Sequence, residues 1–361
     1  MKSLTVGSAM IDTIAIIASD RIERMTMLNA DASFLLLQEG RKTEALEIST
    51  HCGGGAVNTA VALARLGFDS ATIVKLGQDQ RAETILARLM SEGVSPRWAL
   101  RDARAPTGAS VLVASHDRNA AIFTFRGANT LLEPKDLKTD AFAVDLVHVA
   151  SLSNASADCF PLIVEKAAAQ GALVSVNPGP RQLAARGAAF QKCLGSVGIL
   201  SINRAEAQVL LPTLVGRFGE GGPPLDGDDL PRLAARGLVG GGFHMSLAAF
   251  VKAVLALGPR ILLLTDGGGG AYAARDGELV YCAPLLVEVA GTAGAGDAFV
   301  STFAAYTASD RPADVALRAA SINAAGVVGV IDTQSGLLTG TAIEQRLAEM
   351  GDTLAIHRWR I

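Results

Sequence analysis

The chain has little charge of either sign, few aromatics and four cysteines among its 361 residues. Lys and Arg number 32 against 35 Asp and Glu, for a net charge of −3. That balance leaves no electrostatic footprint for a nucleic acid, and no basic stripe interleaved with aromatics is present. Cys52, Cys159, Cys193 and Cys282 are scattered without a C-x-x-C pair, which excludes a disulfide frame and fits reduced thiols in the cytoplasm. His51, His116, His148, His244 and His357 share no metal-binding spacing. No apolar run reaches the ~20 residues that a membrane span needs. Met1-Lys2-Ser3 leads straight into an apolar run that keeps Asp12, unlike a secretory leader with its cleavage site. G-x-x-x-x-G-K-[ST], G-x-S-x-G and the protein-kinase signature set are all missing, which excludes P-loop NTPases, α/β-hydrolases and protein kinases. A cytoplasmic protein without a membrane or nucleic-acid partner is expected.

Half the residues are apolar and 19% are charged, the profile of an Ala/Leu/Val-rich α/β protein. Short β-branched runs alternate with helical stretches: strands at 71–76, 145–150, 173–176, 198–202 and 260–265, helices at 81–93, 161–170, 205–211, 246–257, 298–307 and 313–328. This pattern predicts a doubly wound, Rossmann-like, mostly parallel sheet with helices on both faces, in a single domain over 1–361. Two regions, about 13–49 and 108–127, break the alternation. Their runs at 34–37, 45–48, 110–114 and 121–125 read as hairpin strands of a small β-sheet lid beside the crevice at the strand ends. The Gly/Pro/Asp-rich segment 216–242 reads as a flexible surface insertion.

Gly291-Thr292-Ala293-Gly294-Ala295-Gly296-Asp297 precedes a helical run. Its small residues let backbone N–H groups approach an anion, the helix dipole adds positive potential, and Asp297 is placed to take a proton from an attacking hydroxyl. A tight turn with a charged first helical turn accounts for the same residues. Gly53-Gly54-Gly55-Ala56-Val57-Asn58 opens a second helix, over 59–66. It lacks the third Gly of a dinucleotide fingerprint, and Asn58 offers a donor and an acceptor either to a polyol or to loop backbone. Asp12 suits sugar hydroxyls or a solvated strand end. Asn203-Arg204-Ala205-Glu206 reads both as a helix capping box and as an amide and carboxylate that hold magnesium through its waters. Thr265-Asp266-Gly267-Gly268-Gly269-Gly270 permits close approach by a nucleotide, or forms a plain hairpin turn.

In this order the motifs resemble the ribokinase-like, or phosphofructokinase-B type, family of carbohydrate and nucleoside kinases along nearly the whole chain. The matching elements are Asp12, Gly53-Gly54 with Asn58, Leu76-Gly77-Gln78-Asp79, Pro106-Thr107-Gly108, Gly127-Ala128-Asn129, Asn177-Pro178, Asn203 with Glu206, Thr265 with Gly267, and Gly294-Ala295-Gly296-Asp297. The resemblance implies Asp297 as catalytic base and the 294–296 backbone as an anion hole. It implies Glu206 and Asn203 as organisers of Mg2+, and Thr265, Gly267 and Asn323 as contacts to ATP. It also implies a Rossmann-like core whose β-lid is shared in a homodimer. Gly291 stands where the family has Asp, which argues against K+ activation, and Gly55 stands where ribokinases carry Lys, which argues against ribose as a secure substrate.

The expected reaction is transfer of the γ-phosphoryl group of ATP to a hydroxyl of a small sugar, of ribose or fructose type or a keto-sugar acid. The acceptor is held by Asp12, Gly53, Gly54 and Asn58. Arg126, next to Gly127, suits an acidic or phosphorylated sugar if it reaches the acceptor; a solvated hairpin-end role is the simpler one. Met25, Met27 and Phe34 suit either lid core or a nucleobase pocket, which keeps a nucleoside kinase as an alternative. A non-catalytic ligand sensor on the same fold and a dinucleotide-dependent oxidoreductase are the rivals from other classes.

Overall fold

The computed structural model describes residues 1–18, 23–26, 33–36, 40, 42–115, 120–275, 277–351 and 353–361, with backbone alone at 23–26, 33, 34, 115 and 120. Met27 and the side chains of Met25 and Phe34, weighed above for a nucleobase pocket, lie outside the described residues, as does His116.

A ten-stranded sheet forms the centre. Its order is Ile356–Arg360, Glu278–Cys282, Ala271–Arg275, Ile261–Thr265, Ile199–Asn203, Leu173–Val176, Leu146–Val149, Lys2–Val6, Asp69–Leu76 and Ala99–Arg101. From Ile261–Thr265 to Ala99–Arg101 all neighbours are parallel, as the alternation of elements requires. The other edge is antiparallel, which the sequence pattern did not foresee.

Period-2 geometry sorts the strand side chains into two cores. Leu200, Ile202, Leu262 and Leu264 pack with Ile163, Phe190, Leu210 and Val251 of the helices Phe160–Ala169, Pro180–Lys192, Arg204–Phe218 and Leu247–Leu255. Ile199, Ile261 and Leu263 face the other way, onto Phe299, Phe303 and Leu317 of the helices Ala295–Ala308 and Ala313–Val328. The helix Gly55–Arg65 completes that second layer beside Ala295–Ala308. Each fully buried Leu, Ile or Phe contributes about 1.5–3 kcal/mol, so a sheet covered on both faces is the stable arrangement for strands this apolar.

The lid is a separate four-stranded sheet in the order Ala45–Gly53, Met10–Ile17, Gly108–Ser115, Ala120–Phe125. Three of its strands are those expected from the sequence. The fourth corrects the reading of Asp12: the first strand ends at Val6, and Asp12 stands inside a second strand that belongs to the lid. The strand expected near Phe34 pairs instead with Glu23–Thr26 in a two-stranded ladder. The segment 216–242 is tied down by Leu225, Leu233, Ala234 and Leu238, all buried in the larger core, and carries the helix Arg232–Arg236.

Two further pairs of motifs meet where the lid joins the core. Asp79 accepts hydrogen bonds from Thr107 N and Thr107 Oγ1, both at 2.7 Å, while Thr107 Oγ1 accepts from Gly77 N at 2.9 Å. Asn129, 6% exposed, accepts from Ala9 N and donates to Ala9 O, both at 2.9 Å. One amide thereby replaces a ladder partner for the residue that leads into the Asp12 strand. Asn129→Ala orphans both backbone groups, and each unsatisfied buried group costs about 1–3 kcal/mol. Equilibrium denaturation should register a loss of about 2 kcal/mol or more; an unchanged midpoint would show that Ala9 needs no splint.

Candidate active site

Two helices begin at one point of the crevice. Gly54 precedes Gly55–Arg65 with φ 97°, and Gly294 precedes Ala295–Ala308 with φ 79°. Both positions require glycine on two counts: the positive φ, and a Cβ that would stand 2.6 Å from Ser8 O or 2.7 Å from Thr333 Cβ. The helix Ala295–Ala308 has no side-chain cap, so its first-turn amides keep the polarity that attracts an anion, whereas in Gly55–Arg65 the Gly55 N donates to Ser8 Oγ at 3.1 Å and the Ala56 N to Ser8 O at 3.2 Å. A Cβ at Gly296 would meet nothing within 4 Å, which leaves the approach to that turn open.

Asn58 and Asp297, each in the first turn of its helix, join there. Asn58 Nδ2 donates to Asp297 Oδ2 at 2.8 Å. The amide cannot be turned over, because Asn58 Oδ1 already accepts from Thr333 Oγ1 and Gln334 Nε2, both at 3.0 Å. Gln334 is oriented in turn by Arg88 Nε, which donates to its Oε1 at 3.0 Å. Asn58 was expected to face substrate; it is 3% exposed and gives its amide to the carboxylate instead. Burial raises the Asp297 carboxyl to about 6, the Asn58 hydrogen bond opposes that rise, and the charge of Asp12 adds to it.

Asp12 reaches the same space from the lid. Ser110, in register on the neighbouring strand, donates a hydrogen bond to Asp12 Oδ1. Gly53 leaves room for the other oxygen, since a Cβ there would run into Asp12 Oδ2. Burial raises the Asp12 carboxyl too, against the Ser110 hydrogen bond and the nearby His51. Arg126 is half-buried and donates to Ser153 Oγ at 2.6 Å.

At the ends of the next strands lie the remaining motifs. Asn203 and Glu206 form a complete capping box, with Asn203 N donating to Glu206 Oε2 and Glu206 N to Asn203 Oδ1, both at 2.9 Å. Burial pushes Glu206 up to about 7 despite those bonds. Thr265 pairs in register with Asn203, and an ion pair of 2.8 Å between Arg204 and Asp266 ties the two loops together. Around Gly267 the space is open. Asn323 is not brought to the crevice. It is 0% exposed, donates to Thr302 Oγ1 and accepts from Leu338 N, both at 2.8 Å, so its amide clamps a helix pair to a loop rather than facing a nucleotide.

Sequence reasoning missed Thr333, Gln334 and Ser110. The polar run Asp332-Thr333-Gln334-Ser335 after an apolar helix was the available signal for the first two; Ser110 carried none.

The pattern of the pfkB family carbohydrate kinases matches residues 5–339. The chain belongs to that family. It is 26% identical to a deoxyribokinase of Salmonella typhi over 323 residues, 89% of this chain and 94% of the relative. Its fold superposes with a TM-score of 0.70 on the ribokinase of Arabidopsis thaliana solved with ribose and ATP, at 20% identity over 96% of this chain and 98% of the other. The ribokinase of Cryptococcus neoformans solved with ADP gives 0.68 at 19% identity, covering 96% and 99%.

A pfkB kinase is an ATP-dependent sugar kinase, and the residues here fit that chemistry. For magnesium, Glu206 offers one carboxylate beside the Asn203 amide; a single hard oxygen donor suits an ion that keeps its waters and arrives with nucleotide phosphates. A dication there favours the ionised form of a carboxyl that burial otherwise holds near 7. Gly291 supplies no carboxylate, and a Cβ at that position would stand 3.0 Å from Val330 O and 3.2 Å from Ile331 O. Among the described residues no helix is long and apolar enough to cross a membrane.

The electrostatics can be read directly. The Asp297 carboxyl carbon, followed by 13C NMR in ligand-free protein, should titrate near pH 6. Asn58→Leu removes the donor that favours the charged form and should move the midpoint upward. A wild-type midpoint below about 5, near an ordinary Asp, would contradict the burial assigned here.

Proposed function

We propose that the protein transfers the γ-phosphoryl group of ATP to a hydroxyl of a small sugar, with Asp297 as the base that takes the hydroxyl proton. The observation that carries this reading is the Asn58–Asp297 contact at the uncapped N-terminus of the helix Ala295–Ala308. It sets a carboxylate poised near neutral pH beside amides that attract a phosphoryl group. Phosphoryl transfer asks mostly for positioning and charge stabilisation, and the backbone of Gly294, Ala295 and Gly296 is suited to the charge on the moving group. Asp12 and the Gly53–Gly54 backbone approach the acceptor from the lid side. Asn203, Thr265 and Gly267 face the nucleotide, and Glu206 with Asn203 holds the water shell of Mg2+, which supplies charge neutralisation on the phosphates. The relatives named deoxyribokinase and ribokinase support an acceptor of sugar size.

The lid supports a second part of the reading, a homodimer. Thr13, Thr50, Val111 and Phe123 align across its four strands, on the face opposite Asp12 and Ser110. Val111 is 44% and Phe123 60% exposed, and Ile48 and Phe125 of the same face are exposed as well. An apolar sheet face of this kind is what a second copy covers. Four free cysteines support a reducing, cytoplasmic setting.

Asp297→Asn should lower kcat at least about a hundredfold while ATP still binds by calorimetry; near-normal turnover sinks the base assignment. Light scattering should give twice the chain mass, and Phe123→Glu should return the single-chain mass. A monomeric wild type at micromolar concentration removes the dimer.

A further inference from the structure

His51 stands between two carboxylates that belong to different parts of the fold. Its strand, Ala45–Gly53, is the lid edge that runs on into Gly54 and the helix Gly55–Arg65. In the lid ladder His51 pairs in register with Asp12, so both side chains share the crevice face. Its Nδ1 lies 4.0 Å from Asp332 Oδ2, and its side chain is 31% exposed against 12% for Asp332. The imidazole thus links the lid to the loop that follows the helix Ala313–Val328.

That loop is itself well fixed. Asp332 Oδ1 accepts from Gln334 N at 2.8 Å and from Ser335 N at 2.7 Å, which leaves Oδ2 for the lid. Thr333 Oγ1 stands within hydrogen-bond reach of Cys52 O, at 3.3 Å, and of Asn58 Oδ1, at 3.0 Å. Gln334 O accepts from Arg65 Nη1 at 3.0 Å. A Cβ on Gly294 would run into Thr333, so the same loop also backs the anion-binding turn. His51 therefore touches the body that orients Asn58 and, through it, Asp297.

Other charged groups near His51 already have partners. Asp12, on the neighbouring strand, has one oxygen taken by Ser110. The helix Gln80–Ser91 packs on the same strand and brings Arg88, which is engaged by Glu92 at 2.9 Å and by Gln334 at 3.0 Å. Deeper in the crevice Asp297 is held by Asn58. Two carboxylates thus face one imidazole. At Asp332 burial works upward, yet the hydrogen bonds from Ser335 and Gln334 and the nearby His51 keep the carboxyl below the ordinary aspartate range. An imidazolium in that place relieves both acids and draws lid and loop together, whereas a neutral imidazole has no charge to offer either. We infer that His51 is a positioning residue whose protonated form clasps the lid to the loop behind Asn58 and so holds Asp12 over the acceptor. The clasp is made at the acid end of the roughly pH 5–8 range in which histidine changes charge, and it is lost as the pH rises through that range. The inference rests on the kinase reading above and adds to it a pH-dependent affinity for the acceptor.

Two measurements test it, one of them without turnover. In ligand-free protein the Asp332 carboxyl carbon, followed by 13C NMR, should titrate at higher pH in His51→Gln than in the wild type, because a charge that favours its ionised form is gone. An unmoved midpoint overturns the clasp whatever the enzyme does. The second measurement takes whichever of D-ribose, 2-deoxy-D-ribose, D-fructose and D-gluconate is turned over fastest. At about pH 6 His51→Gln should raise the KM for that acceptor about threefold or more over the wild type, with the KM for ATP held, and by about pH 8.5 the two proteins should agree. The ratio of variant to wild type cancels the titration of Asp297, which both share. Asp332→Asn keeps an oxygen for the two loop amides, removes the charge and should reproduce the His51→Gln profile; His51→Lys, charged throughout, should hold the KM low at both ends. A ratio that is the same at both pH values marks a merely structural role, which overturns the inference and leaves the kinase reading standing. No turnover with any sugar of the panel removes both.

Discussion

The hydrogen bond from Asn58 to Asp297 joins residues 239 positions apart, and the site depends on it. It fastens the first turns of two helices from opposite ends of the chain, so Asp297 is held beside the uncapped amides of its own helix. Its direction is fixed from behind. Thr333 and Gln334 take both lone pairs of the Asn58 oxygen, Arg88 orients Gln334, and Glu92 holds Arg88 at 2.9 Å. A carboxylate that must point one oxygen at a substrate proton gains from a donor that has no other orientation available.

The same contact sets a balance of opposing terms at Asp297. Burial and the carboxylate of Asp12 favour the neutral acid, whereas the Asn58 amide and the helix N-terminus favour the anion. A more complete set of donors would depress the carboxyl to the range of Asp102, whose ion pairs make it a permanent acceptor and a poor base. With no donor, burial would hold the proton at neutral pH. One amide leaves the group near 6, where it is ionised at physiological pH and still basic enough to accept a proton. The crevice thus needs glycine at 54 and 294 for approach and asparagine at 58 for tuning, and these are different requirements met within one turn of each helix.

Much of this was legible in the sequence, for local reasons. The Gly-rich runs before Asn58 and Asp297 state that two helices start there, and Asn203 with Glu206 announces a capping box spanning four residues. Alternating apolar runs gave the parallel centre of the sheet and three strands of the lid. What escaped is non-local. The apolar run that holds Asp12 reads as one first strand and does not show that Met10–Ile17 is a separate lid strand, because pairing with Ala45–Gly53 and Gly108–Ser115 is a tertiary choice. Asn58 reads as a substrate ligand until Thr333 and Gln334, some 275 residues on, claim its oxygen. Asn323 reads as a nucleotide contact until Thr302 and Leu338 are seen to claim both ends of its amide. In each case a polar side chain announces that it needs partners, and the fold decides which.

The lid carries the consequence furthest. One face presents Asp12 and Ser110 to the crevice, and the other presents Val111 and Phe123 to whatever covers it. A thin sheet cannot shift on one face without shifting on the other, since neighbouring side chains along each strand alternate between them. On the proposed reading, a second copy seated on the apolar face therefore stiffens the strand that positions Asp12. Asn129 extends the coupling, because the residue that splints Ala9 lies three positions after Arg126 in the turn that leaves the lid. On the same reading Asp12 is carried by a small body beside the core, so closure of the lid would bring it to the sugar and exclude water from the space above Asp297.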